Sequence, residues 1–325
     1  MIGAVSGNVV ECRSVTLHSL ALKHACAAAA LALAAMPHPV AQQVPAFRGG
    51  IDLVNVAVTV TDRKGGLVAD LRQEDFEIQE DGRRQTISYF LAGDPVAGAA
   101  PSLHVGVLLD VSESMADEIG FARTAAIKFL NALEQAADMT VVDFDTEVRV
   151  ARFTQGDFPR LVQRIRQQKV SGLTALYDAI GVYLDGADSR DGRTIMLLYT
   201  DGGDTRSSLT LPELVELLKA SDVTVYAIGS LVHQSLSSRL PQERVLRQIA
   251  EVTGGQAFFP TSVKELDKVY DQVLAEIRAQ YTIGYLSTNG KADGGWRKVD
   301  VKLNKPAAGG LRIRARKGYF APYKP

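Results

Sequence analysis

The stretch that most constrains this chain is an apolar run that ends abruptly in an acid, Val105-Gly-Val-Leu-Leu-Asp110-Val-Ser112-Glu-Ser114. A continuous apolar run of this length predicts a strand buried on both faces, as in a parallel sheet. Open α/β sheets bind ligands at the carboxyl ends of their strands. We therefore expect Asp110, Ser112 and Ser114 in a loop above that edge, where their side-chain oxygens suit a hard divalent cation such as Mg²⁺.

Two further segments offer oxygen atoms in the same context. One is a second apolar strand, Thr194 to Tyr199, followed by Thr200-Asp201-Gly-Gly, whose glycines free the backbone to turn. The other is a polar loop, Ser171-Gly-Leu-Thr174, which leads into a predicted helix. Each acid alone could be a helix cap, but capping does not explain the ordered set.

These residues resemble the metal-ion-dependent adhesion site of the von Willebrand factor type A domain, whose pattern is D-x-S-x-S, then T, then D. All five positions match: Asp110, Ser112, Ser114, Thr174 and Asp201. The resemblance implies that the serines and the threonine bind the metal directly or through water and that the aspartates complete the shell. It further implies Mg²⁺, or else Mn²⁺ or Ca²⁺, with one coordination position open for an Asp or Glu carboxylate of a partner protein.

From His104 to about Gln280 strands alternate with helices, which predicts a doubly wound, mostly parallel sheet of the Rossmann-like type. We assign residues 98–280 to this type A domain. The first helix is expected from Glu118 to Ala136 with Phe121 on its inner face, and a later helix from Gln242 to Val252. The predicted strands include Met139–Phe144, Val148–Phe153 and Val223–Gly229.

The flanking residues are rich in β patterns. Residues 51–97 alternate apolar and polar residues and then form a predicted hairpin from Asp75 to Phe90, with Asp81-Gly82 at its tip. Residues 281–325 alternate again, and Arg312, Arg314 and Arg316 are expected on the solvated face of an edge strand. Because so few strands are marginal alone, we expect both segments to pair into one β-sandwich-like domain with the type A domain inserted between them.

Short motifs in the flanks strengthen the resemblance. They are Ile51-Asp-Leu-Val-Asn-Val, Asp75-Phe-Glu-Ile, Glu80-Asp-Gly and Arg316-Lys-Gly-Tyr-Phe. They are similar to a bacterial group of VWFA-related domain proteins. With the central domain, this resemblance covers nearly all of the chain that follows the leader.

Residues 1–42 have the layout of a signal peptide, with basic residues, then an Ala- and Leu-rich core, then small residues. Cleavage is open between Ala34 and Ala41, and an Ala-rich tail is the alternative interpretation. Both cysteines, Cys12 and Cys26, fall in this leader, so the mature chain is expected to lack disulfides. The leader predicts a secreted or periplasmic protein.

Charge and hydropathy limit the partners. The formal net charge is −1 and no dense basic patch occurs, which disfavours nucleic acid. The apolar run of the leader is too short to span a membrane. The protein partner is the one that the resemblance to the type A domain implies.

Catalytic patterns are weak in comparison. Outside the leader only His104 and His233 could act as a histidine base, and no G-x-S-x-G elbow occurs. Asp143-Phe-Asp145-Thr146 departs from the D-x-D-x-T spacing of aspartyl phosphatases, and zinc ligands in a suitable spacing are lacking. We predict a non-enzymatic binding module, with a structural cell-envelope module whose metal only stabilises it as the alternative and a hydrolase as a third option.

Overall fold

A computed structural model describes residues 53–93, 101–187, 190, 192–232, 234–304 and 310–323. The predicted leader, the two cysteines and His233 lie outside the described residues. Within the described ranges, none of the helices is both long enough and apolar enough to cross a membrane.

The described residues contain strands and helices that we number in chain order. The strands are β1 (Leu53–Thr61), β2 (Phe76–Glu80), β3 (Arg83–Gln85), β4 (Ile87–Leu91), β5 (Leu103–Asp110), β6 (Ala136–Phe144), β7 (Val148–Phe153), β8 (Arg193–Thr200), β9 (Val223–Gly229), β10 (Gln256–Phe258), β11 (Tyr281–Leu286), β12 (Trp296–Leu303), β13 (Arg312–Ala315) and β14 (Gly318–Phe320). The α-helices are α1 (Ile119–Asn131), α2 (Phe158–Gln167), α3 (Leu176–Ala187), α4 (Leu211–Ala220), α5 (Leu236–Val252) and α6 (Val263–Ala279).

The central sheet has the order β10-β9-β8-β5-β6-β7, and all its pairs are parallel except the β6–β7 hairpin. Apolar side chains of β8 alternate between two cores: Ile195 and Leu197 pack with α1, α2 and α6, while Met196 and Leu198 pack with α3, α4 and α5. Helices therefore cover both faces, which is why the strands are continuously apolar. The predicted mostly parallel, Rossmann-like sheet is confirmed.

Two antiparallel four-stranded sheets flank this domain, with the orders β13-β1-β11-β4 and β14-β12-β2-β3. Each contains strands from both ends of the chain. Their apolar side chains share one core, to which Val56, Ile78, Tyr281 and Val299 all contribute. The buried Glu80 carboxylate lies in the same region and accepts hydrogen bonds from Tyr285 Oη (2.9 Å) and Tyr319 Oη (2.8 Å).

The predicted tip of the β2–β3 hairpin is confirmed. Asp81 and Gly82 have φ angles of 48° and 78°, as a tight turn with two left-handed residues requires. The predicted hairpin does not continue to Phe90, because the chain leaves β3 and pairs Ile87–Leu91 with β11 in the other sheet.

The predicted end of the first helix and the predicted start of the later helix, α5, were wrong. The first helix stops at Asn131, and Ala136 already begins β6. Phe121, predicted on its inner face, is 50% exposed. Helix α5 starts at Leu236 rather than after Pro241, because Ser235 caps it by accepting from Ser238 N (3.4 Å).

The predicted solvated arginine face on β13 was also wrong in part. Arg312 is exposed, but Arg314 Nε donates to Gly254 O (3.0 Å), and its guanidinium also binds Gln256 and Glu276. Arg316 binds Asp222. β13 is an edge strand of its own sheet, yet this edge lies against the central domain, which sequence alternation alone does not reveal.

We expect Arg314→Ala to lower the free energy of unfolding by about 3 kcal/mol, because the Glu276 side chain, only 2% exposed, would keep a buried charge without its cation. The exposed neighbour Arg312 on the same strand provides the matched control, and Arg312→Ala should stay within about 0.5 kcal/mol of the parent. Urea unfolding of both variants measures this, and equal losses would contradict the assignment.

Candidate metal centre

The first segment of the candidate centre folds around the carboxylate of Asp110, the last residue of β5. Asp110 Oδ1 accepts hydrogen bonds from Ser112 N (2.9 Å) and Ser112 Oγ (2.5 Å). Ser112 Oγ lies 3.2 Å from Ser114 Oγ. An aspartate that bonds the backbone two residues on closes a tight local turn, so the D-x-S-x-S spacing itself brings these three side chains together.

The second segment is held against the first by backbone hydrogen bonds. Ser171 N donates to Val111 O (3.0 Å), and Glu113 N donates to Gly172 O (3.2 Å). Gly172 has a φ of 77°, and a Cβ there would lie 2.5 Å from Thr146 Oγ1, so the turn requires glycine. The turn leads directly to Thr174, two residues before the start of α3.

The third segment comprises the end of β8 and the loop that follows it, and it forms hydrogen bonds with both of the others. Thr200 Oγ1 donates to Asp110 Oδ2 (2.6 Å). Thr174 N donates to Thr205 Oγ1 (3.0 Å), and Thr205 N donates back to Thr174 O (2.9 Å). The three segments are therefore hydrogen-bonded pairwise at one edge of the sheet.

Asp201 is oriented by two hydrogen bonds of its own. Its Oδ1 accepts from Gly203 N (2.9 Å), and its Oδ2 accepts from Gln234 Nε2 (3.0 Å). Among the described residues, side-chain hydrogen bonds join Asp110, Ser112 and Ser114 directly, whereas Thr174 and Asp201 are brought to the same edge by the bonds of their loops.

Exposure differs among the five residues. Asp110, Ser112, Thr174 and Asp201 are at most 5% exposed, whereas Ser114 is exposed. Access from solvent is therefore on the side of Ser114.

The electrostatics of the cluster centre on Asp110. Burial raises the pKa of Asp110 to about 6, hydrogen bonds from Ser112 and Thr200 oppose this rise, and the charge of Asp201 adds to it. Two carboxylates thus lie close enough to repel each other, and a nearby cation would relieve that repulsion.

The donor chemistry of the cluster fits a hard divalent cation, because its two carboxylates and three hydroxyls supply only oxygen. Within the described ranges, no group of three or more His, Cys, Asp or Glu side chains is placed to hold a metal ion, and the candidate centre combines two carboxylates with three hydroxyls. His104 lies at the amino edge of the sheet, where its Nδ1 is 2.7 Å from Asp138 Oδ2.

The other acidic pair has a different partner. Asp143 is fully buried and binds Arg149 (2.7 Å) and Arg164 (2.5 Å), while Asp145 binds Arg149 (2.9 Å). Both carboxylates are engaged in ion pairs, so the strand end holds no free aspartyl nucleophile.

Sequence reasoning missed three supporting residues. Thr200 could have been predicted from the sequence, because it is adjacent to Asp201 at a strand end and its hydroxyl can donate a hydrogen bond to a carboxylate at that edge. Thr205 and Gln234 lie in irregular loops, and no pattern in the sequence singles them out.

A von Willebrand factor type A domain model matches residues 104–272, just over half of the chain. The chain therefore belongs to the von Willebrand factor type A domain family. No curated protein sequence matches it significantly.

Among solved structures, the chain is similar to a von Willebrand factor type A protein from Catenulispora acidiphila, with 16% identity and a TM-score of 0.47 over 86% of this chain and 76% of the other. It is also similar to the vWF domain of the type V pili tip protein Mfa5 from Porphyromonas gingivalis, with 12% identity and a TM-score of 0.46 over 55% and 97%. A third likeness is to proximal thread matrix protein 1 of the mussel byssus, whose MIDAS motif is occupied by zinc, with 20% identity and a TM-score of 0.43 over 53% and 47%.

We expect Asp110→Asn to be more stable than the parent in EDTA at neutral pH. Because the folded pKa is raised from 3.8 to about 6, the parent loses stability as pH rises between these values, by about 3 kcal/mol in total. The asparagine variant has no carboxyl group at this position, so it does not undergo this loss of stability. Urea unfolding from about pH 4 to 8 measures it, because this span covers nearly the whole interval between the two pKa values.

The exposed Asp185 on α3 supplies the control, since Asp185→Asn should follow the parent at every pH. Parallel stability curves for Asp110→Asn and the parent would contradict the expected effect of burial.

Proposed function

We propose that this chain is a non-enzymatic binding protein that captures an Asp or Glu carboxylate of a partner protein through a divalent cation. The ligands would be Asp110, Ser112, Ser114, Thr174 and Asp201. The observation that carries the proposal is that three loops are hydrogen-bonded pairwise at one edge of the sheet. Two of the hydrogen bonds are those that Asp110 accepts from Ser112 (2.5 Å) and from Thr200 (2.6 Å).

The composition of the cluster favours an anionic partner. Only two of the five donors are carboxylates, and the three hydroxyls are neutral and weaker donors, so a bound divalent ion would remain electrophilic and favour an incoming anion. When bound, the ion would offer an open coordination position to an incoming carboxylate. Ser114, the exposed member, marks the side from which that group would approach.

The protein itself holds the donor groups in place. Gly203 N and Gln234 Nε2 each occupy one oxygen of Asp201, which fixes the orientation of that carboxylate. Such supporting hydrogen bonds orient metal ligands and lower the cost of assembling the site. Oxygen donors suit Mg²⁺, Mn²⁺ or Ca²⁺.

We further propose that the protein acts outside the cytoplasm. The layout of residues 1–42, with a short apolar core between basic and small residues, supports a secreted or periplasmic location. The near-neutral net charge of −1 supports a protein partner rather than nucleic acid.

A structural role is the second candidate, and the raised pKa of Asp110 favours it. A cation that relieved the repulsion between Asp110 and Asp201 would stabilise the fold even without a partner. The protein would then be a cell-envelope module whose metal serves stability.

Thr174→Ala and Asp110→Ala should each raise the Kd for Mg²⁺ at least tenfold, because each removes an oxygen donor. A tenfold change in Kd corresponds to roughly 1.4 kcal/mol of binding free energy. Isothermal titration with Mg²⁺, Mn²⁺, Ca²⁺ and Zn²⁺ measures this, and circular dichroism checks folding. Thr124→Ala, which removes an exposed hydroxyl on α1, is the matched control and should bind metal normally.

Pull-down from the envelope fraction then separates the two candidates. A partner retained with Mg²⁺ and released by EDTA supports capture. A large metal-dependent shift in Tm without any metal-dependent partner supports the structural role instead, and unchanged Mg²⁺ affinity in both variants refutes the site.

We also propose that residues 51–97 and 281–325 form one β-sandwich-like domain, with the type A domain, residues 98–280, inserted between them. The shared apolar core and the hydrogen bonds from Tyr285 and Tyr319 to Glu80 support this, because they join strands from both ends of the chain.

Residues 51–97 expressed alone should show no cooperative thermal transition, since half of the shared core would be missing. Residues 51–325 should unfold cooperatively, and residues 98–280 alone should be less stable than in the whole chain because Glu276 loses Arg314. Calorimetry of the three fragments measures these transitions, and a cooperative transition of residues 51–97 alone would contradict the shared-domain proposal.

A further inference from the structure

A cavity of about 170 Å³ opens beside the candidate metal centre, at the same edge of the central sheet. Its walls come from the start of α1, the end of β8, the segment after β9 and the start of α6. The residues that line it include Asp117, Glu118, Phe121, Tyr199, Val232 and Val263.

Short links connect this cavity to the candidate centre. Tyr199 directly precedes Thr200, whose hydroxyl donates to Asp110 (2.6 Å). Ser230, another lining residue, donates from its backbone N to Thr200 O (2.9 Å). A partner bound at the centre would therefore have neighbouring residues within reach of the cavity.

Large apolar side chains surround the cavity and face solvent. Phe121, Val232 and Val263 are 50%, 46% and 45% exposed. Exposed apolar side chains are ordinary when scattered, but a group around one opening indicates a contact surface. Their burial by a partner would add to the free energy of binding.

The charged residues of the lining have one sign. Asp117 and Glu118 are acidic, and no basic residue occurs among the described residues that line the cavity. Glu118 Oε2 also accepts from Tyr199 Oη (3.4 Å), which holds it at the wall. A second carboxylate would be repelled here, whereas a cationic group would be attracted.

The size of the cavity limits its occupant. Sites for whole small molecules usually enclose about 300–1,000 Å³, whereas a cavity of roughly 150 Å³ accommodates a benzene-sized group. At about 170 Å³, this cavity matches one large side chain.

We propose that the cavity receives a lysine or arginine side chain of the same partner that presents its carboxylate to the cation, an inference that rests on the proposed function. The aliphatic stem packs on Phe121, Val232 and Val263, and the cationic head lies beside Asp117 and Glu118. Long basic side chains bury their stems in this way while the charge stays hydrated. The partner segment therefore carries an acidic and a basic residue a few positions apart.

The test uses capped peptides of the form Gly-Asp-spacer-Lys-Gly, with spacers of about zero to four glycines, which span up to roughly 16 Å. Norleucine in place of lysine keeps the stem and removes the charge, and alanine removes both. Methyl NMR of the folded chain in Mg²⁺ follows the valine signals assigned to positions 232 and 263 and yields the Kd of each peptide.

At the best spacer, the lysine peptide should bind about fivefold tighter than the norleucine peptide and more than tenfold tighter than the alanine peptide. The double variant Asp117→Asn with Glu118→Gln should abolish the preference for lysine over norleucine. Asp185→Asn with Glu134→Gln removes the same charge from exposed positions elsewhere and should preserve it.

Two results overturn the inference. In the first, the lysine peptide binds no better than the norleucine peptide at any spacer length, or neither peptide binds. In the second, the preference for lysine persists in the double variant of Asp117 and Glu118. Failure of the proposed function shows differently. Peptides with Asn in place of Asp would then bind as well as the parent, and EDTA would leave their Kd unchanged.

Discussion

The structure depends on one buried carboxylate, that of Asp110 at the end of β5. Its two oxygens accept hydrogen bonds from Ser112 on the next loop and from Thr200 on the neighbouring strand β8. A buried acid is costly unless its oxygens are satisfied, so these bonds dictate how both loops leave the sheet. The loop of Thr174 is then held between them by backbone hydrogen bonds. The arrangement is therefore set by the satisfaction of one acid rather than by five independent side chains.

A second set of polar contacts relates the central domain to its flanks. Arg314 from β13 binds the buried Glu276 of α6, and the same guanidinium reaches the backbone of Gly254. Within the flanks, Glu80 joins strands from the two ends of the chain through Tyr285 and Tyr319. Both contacts bury a carboxylate with a specific partner, and such pairs select one arrangement because any alternative leaves a charge unpaired.

Sequence patterns were most informative for the bounds of several strands. The bounds of β7 and β9 agree with the predicted ones, because alternating or continuous apolar residues leave little choice of element. Predictions were wrong where a local preference was overridden. Phe121 is apolar but exposed, α5 begins before Pro241, and Arg314 of β13 and Arg316 just beyond it contact the central domain instead of water. For the two arginines, the residues that decide the outcome are distant in sequence, whereas a local cap at Ser235 sets the start of α5.

The sequence alone determined the doubly wound sheet and, with the resemblance to the type A site, the five candidate ligands, because strand periodicity and short motifs are local properties. Only the tertiary structure decided how those ligands are supported and what lies beside them. Thr205 and Gln234 reach the candidate centre through loops without any pattern, and the cavity beside Tyr199 is assembled from four separate elements. Hydrogen bonds and cavities of this kind arise from packing between remote segments, and a single sequence does not encode that packing in any short-range pattern.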